Sequence, residues 1–307
     1  MNDEVLRLTN ISKSYRSTLA LEGLDLVINP GEIFGLIGEN GAGKSTLINI
    51  INGLIRPTTG DVTLFGKNDR KQIAHQRSRV GFVPDTNALY PSLSARDNLE
   101  IRRIEWGIPD KVAVKEALEE VGLSTVGKKK VRHFSLGMRR RLDLAVALLG
   151  KPDFLILDEP TNGLDPVGII EVRELLKSLN MRSGTTILVS SHILSELHEM
   201  ATQYLILSQG KLVECMSSAE LDSRCKRHLK IRVNDPDRAV LLFETILNTR
   251  NYTVEPGGTI RLYEFPEQSE EVTNLLVENR IGVESISIEE DSLEAYYVNL
   301  IGSGNRK

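Results

Sequence analysis

Cysteine is scarce in this sequence, and long apolar runs are absent. The only two cysteines, Cys215 and Cys225, cannot build a disulfide framework and lack the spacing of metal ligands. Their rarity favours the reducing cytoplasm. Apolar stretches such as residues 154–157 fall far short of the roughly 18 residues that a membrane-spanning helix needs. We therefore do not expect an integral membrane protein.

An excess of one charge, of glycine or of proline is missing as well. Lys and Arg number 38 against 42 Asp and Glu, a net charge of −4, so the bulk charge does not indicate a nucleic-acid partner. The 24 glycines, 11 prolines and 40% hydrophobic residues exclude a collagen-like, low-complexity or disordered chain. The acidic start, Met1-Asn-Asp-Glu, does not resemble a secretory signal. A globular protein of one large or two modest domains remains.

The first two thirds of the chain have the pattern of an α/β domain. Alternating apolar and polar residues predict half-buried strands at 5–8 and 24–28. Short apolar runs bounded by turns predict buried parallel strands at 33–37, 154–157 and 186–190. Between residues 94 and 150 the pattern is helical and begins with a capping box at Ser94. We predict a parallel-sheet core with a helical insertion over about residues 86–150.

A change in charge marks a second domain. From Glu220 onward there are 16 acidic and 11 basic residues, a net of −5, whereas the first 219 residues carry 26 acidic and 27 basic, a net of +1. The later pattern is β-α-β-β-α-β, a ferredoxin-like order with a hairpin turn at Gly257-Gly258. It predicts strands at 229–233, 252–254, 259–265 and 283–288 and helices at 238–247 and 267–278. A closing helix carries Leu293, Tyr296, Tyr297 and Leu300 on one face. We predict domains at 1–217 and 218–307, the second a small α+β accessory domain that regulates the protein or supports dimerisation.

A glycine-rich loop predicts nucleotide binding. Gly38-Glu-Asn-Gly-Ala-Gly-Lys-Ser45 matches G-x-x-x-x-G-K-[ST] between a predicted strand and a predicted helix, the context that this phosphate-binding loop requires. Its glycines let backbone N–H groups turn toward phosphate oxygens. Lys44 is expected to reach the β- and γ-phosphates and Ser45 to hold Mg²⁺. The nucleotide-binding residues predicted here are Gly38, Asn40, Gly41, Gly43, Lys44, Ser45 and Thr46.

Two carboxylates follow a buried strand. Asp158 and Glu159 end the run Phe154-Leu-Ile-Leu, which delivers them to the edge of the sheet where α/β proteins bind ligands. We expect Asp158 to orient Mg²⁺ through a water and Glu159 to align or deprotonate the attacking water. Seen alone, an Asp-Glu pair is as often a simple strand end. Its position before Pro160-Thr-Asn-Gly-Leu-Asp165 favours catalysis.

With four further stretches, the sequence resembles the ATP-binding subunit of an ATP-binding cassette (ABC) transporter over residues 4–217. Residues 134–142, Phe-Ser-Leu-Gly-Met-Arg-Arg-Arg-Leu, resemble the signature usually written LSGGQ. Asn162-Gly-Leu-Asp165 resembles the D-loop, and Ser190-Ser-His192 resembles the segment of the switch histidine. Tyr15 stands 23 residues before Gly38, where the family stacks the adenine ring.

The resemblance implies a head-to-tail homodimer with two ATP molecules at its interface. Ser135 and Gly137 would bind the γ-phosphate of ATP held by the opposite subunit, at a helix N-terminus. Asp165 would cross the interface, and His192 would hold the γ-phosphate and the attacking water with Glu159. Hydrolysis would then open the dimer. The catalytic residues so implied are Glu159, His192 and Lys44, and the metal ligands Ser45, Asp85 and Asp158.

Two positions depart from the family pattern. The signature has Leu136 for the usual Gly and Met138 for the usual Gln, a form familiar among bacterial exporters, and it keeps Ser135 and Gly137. Asp85, in Gly81-Phe-Val-Pro-Asp85, replaces the usual Gln that contacts Mg²⁺. We expect Asp85 to act through the metal and to make the site more Mg²⁺-dependent. The alternative is that Asp85 is only a loop residue.

Two surface features admit two interpretations each. The basic residues around the signature, Lys128–Lys130, Arg132 and Arg139–Arg141, could bind nucleic acid, but a solvated helical face near bound phosphates fits a near-neutral domain better. Tyr90 and Leu93 lie where the family receives a coupling helix of the membrane protein. They could be partly exposed there or belong to the core.

The resemblance thus implies an ATP-binding and ATP-hydrolysing subunit at the cytoplasmic face of the membrane, using ATP and Mg²⁺. It would energise a separate transmembrane permease, with no nucleic-acid partner. The C-terminal part, ending Asp291-Ser-Leu-Glu-Ala-Tyr-Tyr, resembles exporters of the drug or bacitracin-resistance kind. The alternatives are an ABC ATPase of a soluble machine and a catalytically silent nucleotide-binding module. Glu159 and His192 together argue against the silent module.

Overall fold

A computed structural model describes residues 4–86, 89–225, 227–290 and 293–304 of the chain. The acidic start (Met1–Asp3) and Asp291-Ser292 of the C-terminal pattern lie outside the described residues. The chain divides into two compact units, Met1–Ser218 and Ala219–Lys307. No helix in the described ranges is both long and apolar enough to cross a membrane.

A six-stranded sheet forms the centre of the first unit. Its strands are β3 (Ile33–Ile37), β5 (Val80–Val83), β6 (Phe154–Leu157), β7 (Thr186–Ser191), β8 (Gln203–Ser208) and β9 (Lys211–Ser217). The order is β5-β6-β7-β3-β8-β9, and every neighbouring pair is parallel except β8 and β9. The strands β3, β6 and β7 are wholly buried, as continuous apolar runs in a parallel sheet should be. Their carboxyl ends meet at one edge of the sheet.

A second, antiparallel sheet packs its apolar residues into the same core. It contains β1 (Leu6–Tyr15), β2 (Thr18–Ile28) and β4 (Thr59–Leu64) in the order β2-β1-β4. Leu6, Leu8 and Ile28 from this sheet join Phe34 and Leu205 of the parallel sheet in one hydrophobic cluster. Burying these side chains contributes on the order of 2 kcal/mol each relative to leaving them in water. The two sheets therefore stabilise each other.

Seven α-helices complete the described part of this unit. They are α1 (Lys44–Ile51), α2 (Arg70–Gln76), α3 (Ala95–Glu105), α4 (Val112–Glu120), α5 (Leu136–Leu148), α6 (Pro166–Ser183) and α7 (Leu194–His198). The next helix, α8 (Ser218–Arg224), begins at the last residue of this unit and otherwise belongs to the second. The described residues from 89 to 150 contain α3, α4 and α5, which pack on one another, and no strand. The capping box is present: Ser94 Oγ accepts from the Asp97 N–H, and the Asp97 carboxylate accepts from the Ser94 N–H. The predicted helical insertion is confirmed.

The second unit is a four-stranded antiparallel sheet with helices. Its elements are β10 (Arg227–Val233), α9 (Pro236–Thr245), β11 (Tyr252–Val254), β12 (Thr259–Leu262), α10 (Ser269–Glu278), β13 (Val283–Glu290) and α11 (Leu293–Gly304). The strand order β11-β12-β10-β13 is that of a ferredoxin-like fold. Leu229, Ile231, Ile260 and Leu262 form its core with Phe243 of α9. The predicted fold class is confirmed in both units.

Candidate functional site

The glycine-rich loop connects β3 to α1 and needs glycine for its shape. Gly43 precedes α1 with φ of 108°, and a Cβ there would lie 2.7 Å from the carbonyl oxygen of Ala20. A Cβ on Gly38 would lie 2.6 Å from the carbonyl oxygen of Leu207. Because side chains at these positions would collide with backbone, only glycine permits this turn. The loop therefore directs its backbone N–H groups into one concave surface at the start of α1.

The lysine of the loop is buried and already paired with a predicted catalytic residue. Lys44 is 6% exposed, and its Nζ donates to the carbonyl oxygen of Gly38 at 2.5 Å. The same Nζ lies 3.2 Å from Oε1 of Glu159. A phosphate entering this site would meet the ammonium group directly and would compete with Glu159 for it.

The Glu159 carboxylate bridges two elements. Its Oε2 lies 2.8 Å from Nδ1 of His192, which follows β7, while Oε1 faces Lys44. Glu159 has a φ of 49°, an unusual value for a residue other than glycine. Its backbone N–H donates to Ser190 Oγ at 2.9 Å. Such a conformation persists only where the surroundings hold it, and Ser190 supplies part of that support.

Asp158 lies behind this cluster and is held by the same serine. It is 6% exposed, and one carboxylate oxygen accepts from Ser190 Oγ at 2.8 Å. Ser190 is fully buried on β7, next to β6 in the sheet. One hydroxyl thus links the Asp158 carboxylate and the Glu159 backbone N–H to the neighbouring strand. The sequence pattern did not predict this role, although Ser190 belongs to the Ser190-Ser-His192 segment.

A cavity of about 390 Å³ lies where these groups meet. Its lining is Ala20, Glu39, Asn40, Gly41, Gly43, Lys44, Ser45, Thr46, Asp85, Glu159, Asn162 and His192. Nine of these twelve residues were predicted as site residues from the sequence. Ala20 and Glu39 were missed, because neither residue type carries a signal for phosphate or metal chemistry. Asn162 appeared only as the first residue of the D-loop pattern.

Other predicted residues lie outside this cavity. Ser135 begins α5, where its Oγ accepts from the Met138 N–H at 3.2 Å, and Asp165 begins α6 by accepting from the Gly168 N–H at 3.1 Å. Both side chains are exposed. Tyr15, at the end of β1, is 46% exposed, with the Lys13 ammonium 5.0 Å from its ring centroid. The chain therefore does not bring Ser135, Gly137 or Asp165 into its own cavity.

Asp85 lines the cavity and has a basic partner that the sequence analysis did not find. The Arg140 guanidinium of α5 lies 3.3 Å from Oδ1 of Asp85 and donates to the Pro84 carbonyl oxygen at 3.3 Å. Asp143, one turn further along α5, is 6% exposed, and burial raises its pKa to about 7 despite the positive charge of Arg140. The separation of 55 residues between Asp85 and Arg140 leaves no sequence signal for this pair.

The donor atoms at the cavity suit magnesium. Ser45 and Asp85 present oxygen atoms to the cavity, and Asp158 adds a carboxylate just behind it. Mg²⁺ prefers oxygen ligands and usually combines one or two carboxylates with waters and substrate phosphates. Within the described ranges no group of three or more His, Cys, Asp or Glu side chains could hold a metal by itself. A magnesium ion here would combine these oxygen atoms with those of a bound nucleotide.

Two of the basic residues around the signature contact groups of their own chain, and Tyr90 and Leu93 differ in exposure. Among the basic residues around the signature, Arg139 donates to the carbonyl oxygen of Arg132, and Arg141 lies 3.7 Å from Glu171. Tyr90 is 42% exposed, whereas Leu93 is half-buried. Of the two interpretations, partial exposure therefore applies to Tyr90.

Comparison with known proteins finds one family. The profile of the ABC transporter family matches residues 21–162. Over 300 residues the chain is 42% identical to the bacitracin transport ATP-binding protein BcrA of Bacillus licheniformis, with 98% of each chain covered.

Two solved structures are similar in fold. The ATP-binding cassette MJ0796, solved as a dimer in a post-hydrolysis state with ADP and Pi, has a TM-score of 0.63 and 28% identity, covering 69% of this chain and 98% of that one. CbiO1 of Clostridium perfringens, part of the ABC transporter complex cbiONQ, has a TM-score of 0.67 and 26% identity, covering 80% of this chain and 97% of that one.

Proposed function

Because the chain belongs to the ABC transporter family and is one of its ATPases, we propose that it energises a separate transmembrane permease that exports its cargo. The observation that carries the proposal is the Glu159 carboxylate held between Lys44 and His192 at the wall of the cavity. A nucleotide-binding module without catalysis would have no need of this arrangement. The full-length similarity to a bacitracin transport protein supports the exporter assignment.

The arrangement gives each residue a chemical role. Lys44 leaves Glu159 for the β- and γ-phosphates of ATP, since a phosphate carries more charge than one carboxylate. Glu159 is then free to orient and deprotonate the attacking water, and His192 holds that water and the γ-phosphate. Ser45, Asp85 and Asp158 would hold Mg²⁺ together with the phosphates, and the bound cation would neutralise negative charge that develops during hydrolysis.

A second copy of the chain completes the site. Ser135, Gly137 and Asp165 lie at the beginnings of two helices, outside the cavity of their own chain. Helix N-termini bind anions, so exposed ones suit the γ-phosphate of ATP bound to another subunit. The dimeric state of MJ0796 supports the same assembly here. Hydrolysis removes the phosphate that joins the two copies and converts ATP turnover into opening.

The helical insertion supplies the surface for the permease. Tyr90, Ile104 and Trp106 are 42%, 64% and 51% exposed. Large apolar side chains exposed on one part of a domain suit a protein partner. Binding there holds the chain at the cytoplasmic face of the membrane. Residues 1–217 form the ATPase domain in this proposal, and residues 218–307 form an accessory domain that regulates it or supports the dimer.

The test compares phosphate release by the wild-type chain and Glu159→Gln in the presence of Mg²⁺. We expect hydrolysis by the wild type and a loss of at least about 100-fold in the variant, because the amide cannot accept a proton. Glu159→Gln should still bind ATP and should run as a dimer with ATP by light scattering. Glu174→Gln, on the exposed surface of α6, is the matched control and should hydrolyse like the wild type.

Two outcomes contradict the proposal. Full activity of Glu159→Gln excludes this carboxylate as the base, and an ATP-loaded Glu159→Gln that runs as a monomer excludes the dimeric site. The permease assignment needs its own assay, in which the chain is co-expressed with a candidate permease. Membrane association that depends on the permease supports it, and the same association with a Tyr90→Ala, Trp106→Ala double variant excludes the proposed surface.

A further inference from the structure

Arg140 connects the signature helix α5 with the backbone of Pro84 and the side chain of Asp85. Its side chain is 7% exposed, in the middle of the helix whose first turn carries Ser135 and Gly137. One end of the guanidinium donates to the Pro84 carbonyl oxygen, and the other faces the Asp85 carboxylate, both at 3.3 Å. Its Nε is buried without a hydrogen-bond partner among the described residues. The residue therefore joins α5 to the segment that lines the cavity.

A buried guanidinium needs a negative partner, because removing a charge from water is costly. Two carboxyl groups face Arg140: Asp85, on the cavity wall, and Asp143, on the next turn of α5. Burial raises the pKa of Asp143 to about 7, so that near neutral pH this group supplies only part of a negative charge. Asp85 is 49% exposed, lines the cavity and lies 3.3 Å from the guanidinium, so it is the partner of Arg140 that a ligand in the cavity can reach.

Asp85 also faces the space in which a nucleotide-bound cation would lie. It lines the same cavity as Lys44 and Ser45. A single aspartate is too short to satisfy a buried guanidinium and an inner metal ligand position equally well. The contact distance of 3.3 Å to Arg140 is already longer than an ideal charge-assisted hydrogen bond. The carboxylate therefore has two alternative positive partners.

We propose that Arg140 is a positioning residue that competes with Mg²⁺ for the Asp85 carboxylate and thereby sets how strongly nucleotide binding depends on the metal. The inference rests on the proposed function, since it takes the cavity to be the ATP site. It adds a residue of the signature helix to the control of the metal site. A glutamine in place of Asp85, the usual residue of the family, carries no charge and would not compete in this way.

The experiment measures the affinity of a fluorescent ATP analogue with Mg²⁺ and with EDTA, in the Glu159→Gln background and at protein concentrations at which light scattering shows a monomer. The ratio of the affinity with Mg²⁺ to the affinity with EDTA measures how strongly nucleotide binding depends on the metal. Arg140→Gln should raise this ratio by about threefold to tenfold, because Asp85 is released to the metal. This size corresponds to the strength of a partly exposed ion pair. The affinity in EDTA should change little.

Three further variants show whether the effect passes through Asp85. Arg140→Gln should have no effect on the ratio when Asp85→Gln is already present. Arg140→Lys keeps a positive charge and should restore most of the unmodified ratio. Arg141→Gln removes the same charge from the same helix at a side chain that faces Glu171, and should leave the ratio unchanged. Circular dichroism and the thermal midpoint establish that each variant is folded.

An unchanged ratio in Arg140→Gln overturns the inference, and so does an equal rise in the Asp85→Gln background. Equal weakening with Mg²⁺ and with EDTA assigns Arg140 a purely structural role and also overturns it. Failure of the proposed function has a different signature, because nucleotide binding would then be absent before Arg140 is changed.

Discussion

The end of β6 and the beginning of α5 both carry residues of the proposed ATP site, yet their surroundings differ. At the end of β6, Asp158 is buried and Glu159 is half-buried, and both are hydrogen-bonded to Ser190 of the neighbouring strand. At the beginning of α5, Ser135 is exposed, and its side chain bonds only within its own helix turn among the contacts described above. One half of the site is assembled inside the chain, and the other is presented on its surface.

In the proposed site, this difference separates the binding of the nucleotide by one chain from the completion of the site for hydrolysis by a second chain. A parallel sheet brings the ends of its strands together whatever else the chain does, so the loop, the carboxylates and His192 meet within one molecule. A helix N-terminus at the surface offers N–H groups that need an external anion. The chain by itself should therefore bind a nucleotide with one half of the site and should need a second copy for hydrolysis.

The largest effect is expected in the half of the site that is assembled inside the chain, here called the inner half. Lys44→Ala removes the buried ammonium group that faces the phosphates and leaves Glu159 without its cation. We expect ATP affinity to fall by at least about 100-fold, as measured with a fluorescent analogue. Lys151→Ala, at a 73% exposed lysine paired with Glu116, is the control and should bind normally. Normal binding by Lys44→Ala would place the nucleotide elsewhere.

Changing the half of the site that lies on the surface, at Ser135 and Asp165, should separate nucleotide binding from hydrolysis. Ser135→Ala combined with Asp165→Ala removes two exposed side chains that lie outside the cavity. ATP affinity of the monomer should stay within about threefold of the wild type, while hydrolysis falls by at least about 30-fold. In the Glu159→Gln background the ATP-dependent dimer should disappear in light scattering. Loss of monomer binding would show that the two halves are not separable.

Ser190→Ala tests the connection that holds the inner half together. The change leaves the Asp158 carboxylate and the Glu159 N–H without their shared partner. We expect a loss of on the order of 1–3 kcal/mol in the free energy of unfolding. The kcat should fall by about tenfold with little change in ATP affinity, since Lys44 is untouched. Ser191→Ala, at the next position of β7, is the control. An equal loss of kcat in that variant would show that the effect is not specific to Ser190.

The smallest effect concerns pH. The pKa of Asp143 is about 7 in the folded chain and about 4 when unfolded, so between these values the folded state holds a proton that the unfolded state lacks. Stability from this group therefore falls as pH rises from about 4 to about 7. The free energy of unfolding of Asp143→Asn minus that of the wild type, measured by urea unfolding, should be larger at pH 8 than at pH 5. We expect the increase to be on the order of 1–4 kcal/mol. A difference that is independent of pH would contradict the assigned pKa.

The pattern of the sequence predicted the principal strands well. The three runs at 33–37, 154–157 and 186–190 are strands within one residue, because each is a short apolar run between turn signals. The strands β4, β5, β8 and β9 were not predicted. β8 is a continuous apolar run that is equally typical of a buried helical segment, β5 has only four residues, and β4 and β9 are edge strands of mostly exposed and half-buried residues without clear alternation.

The ends of elements were less accurate than their existence. The predicted helices at 238–247 and 267–278 begin at Pro236 and Ser269, and the strand predicted to Phe265 ends at Leu262. These limits depend on capping and on pairing partners, for instance the pairing of β12 with β10. Periodicity alone does not contain this information.

The sequence by itself determined the phosphate loop, the two carboxylates, the principal buried strands and the start of the helical insertion. Each depends on neighbouring residues: glycine for backbone turns, apolar runs for burial, a capping serine for a helix start. Only the tertiary structure decided that Ser190 holds the Asp158 carboxylate and the Glu159 N–H and that Arg140 faces Asp85. Such contacts join residues 31 to 55 positions apart. Their geometry follows from how strands and helices pack in space, which no local pattern encodes.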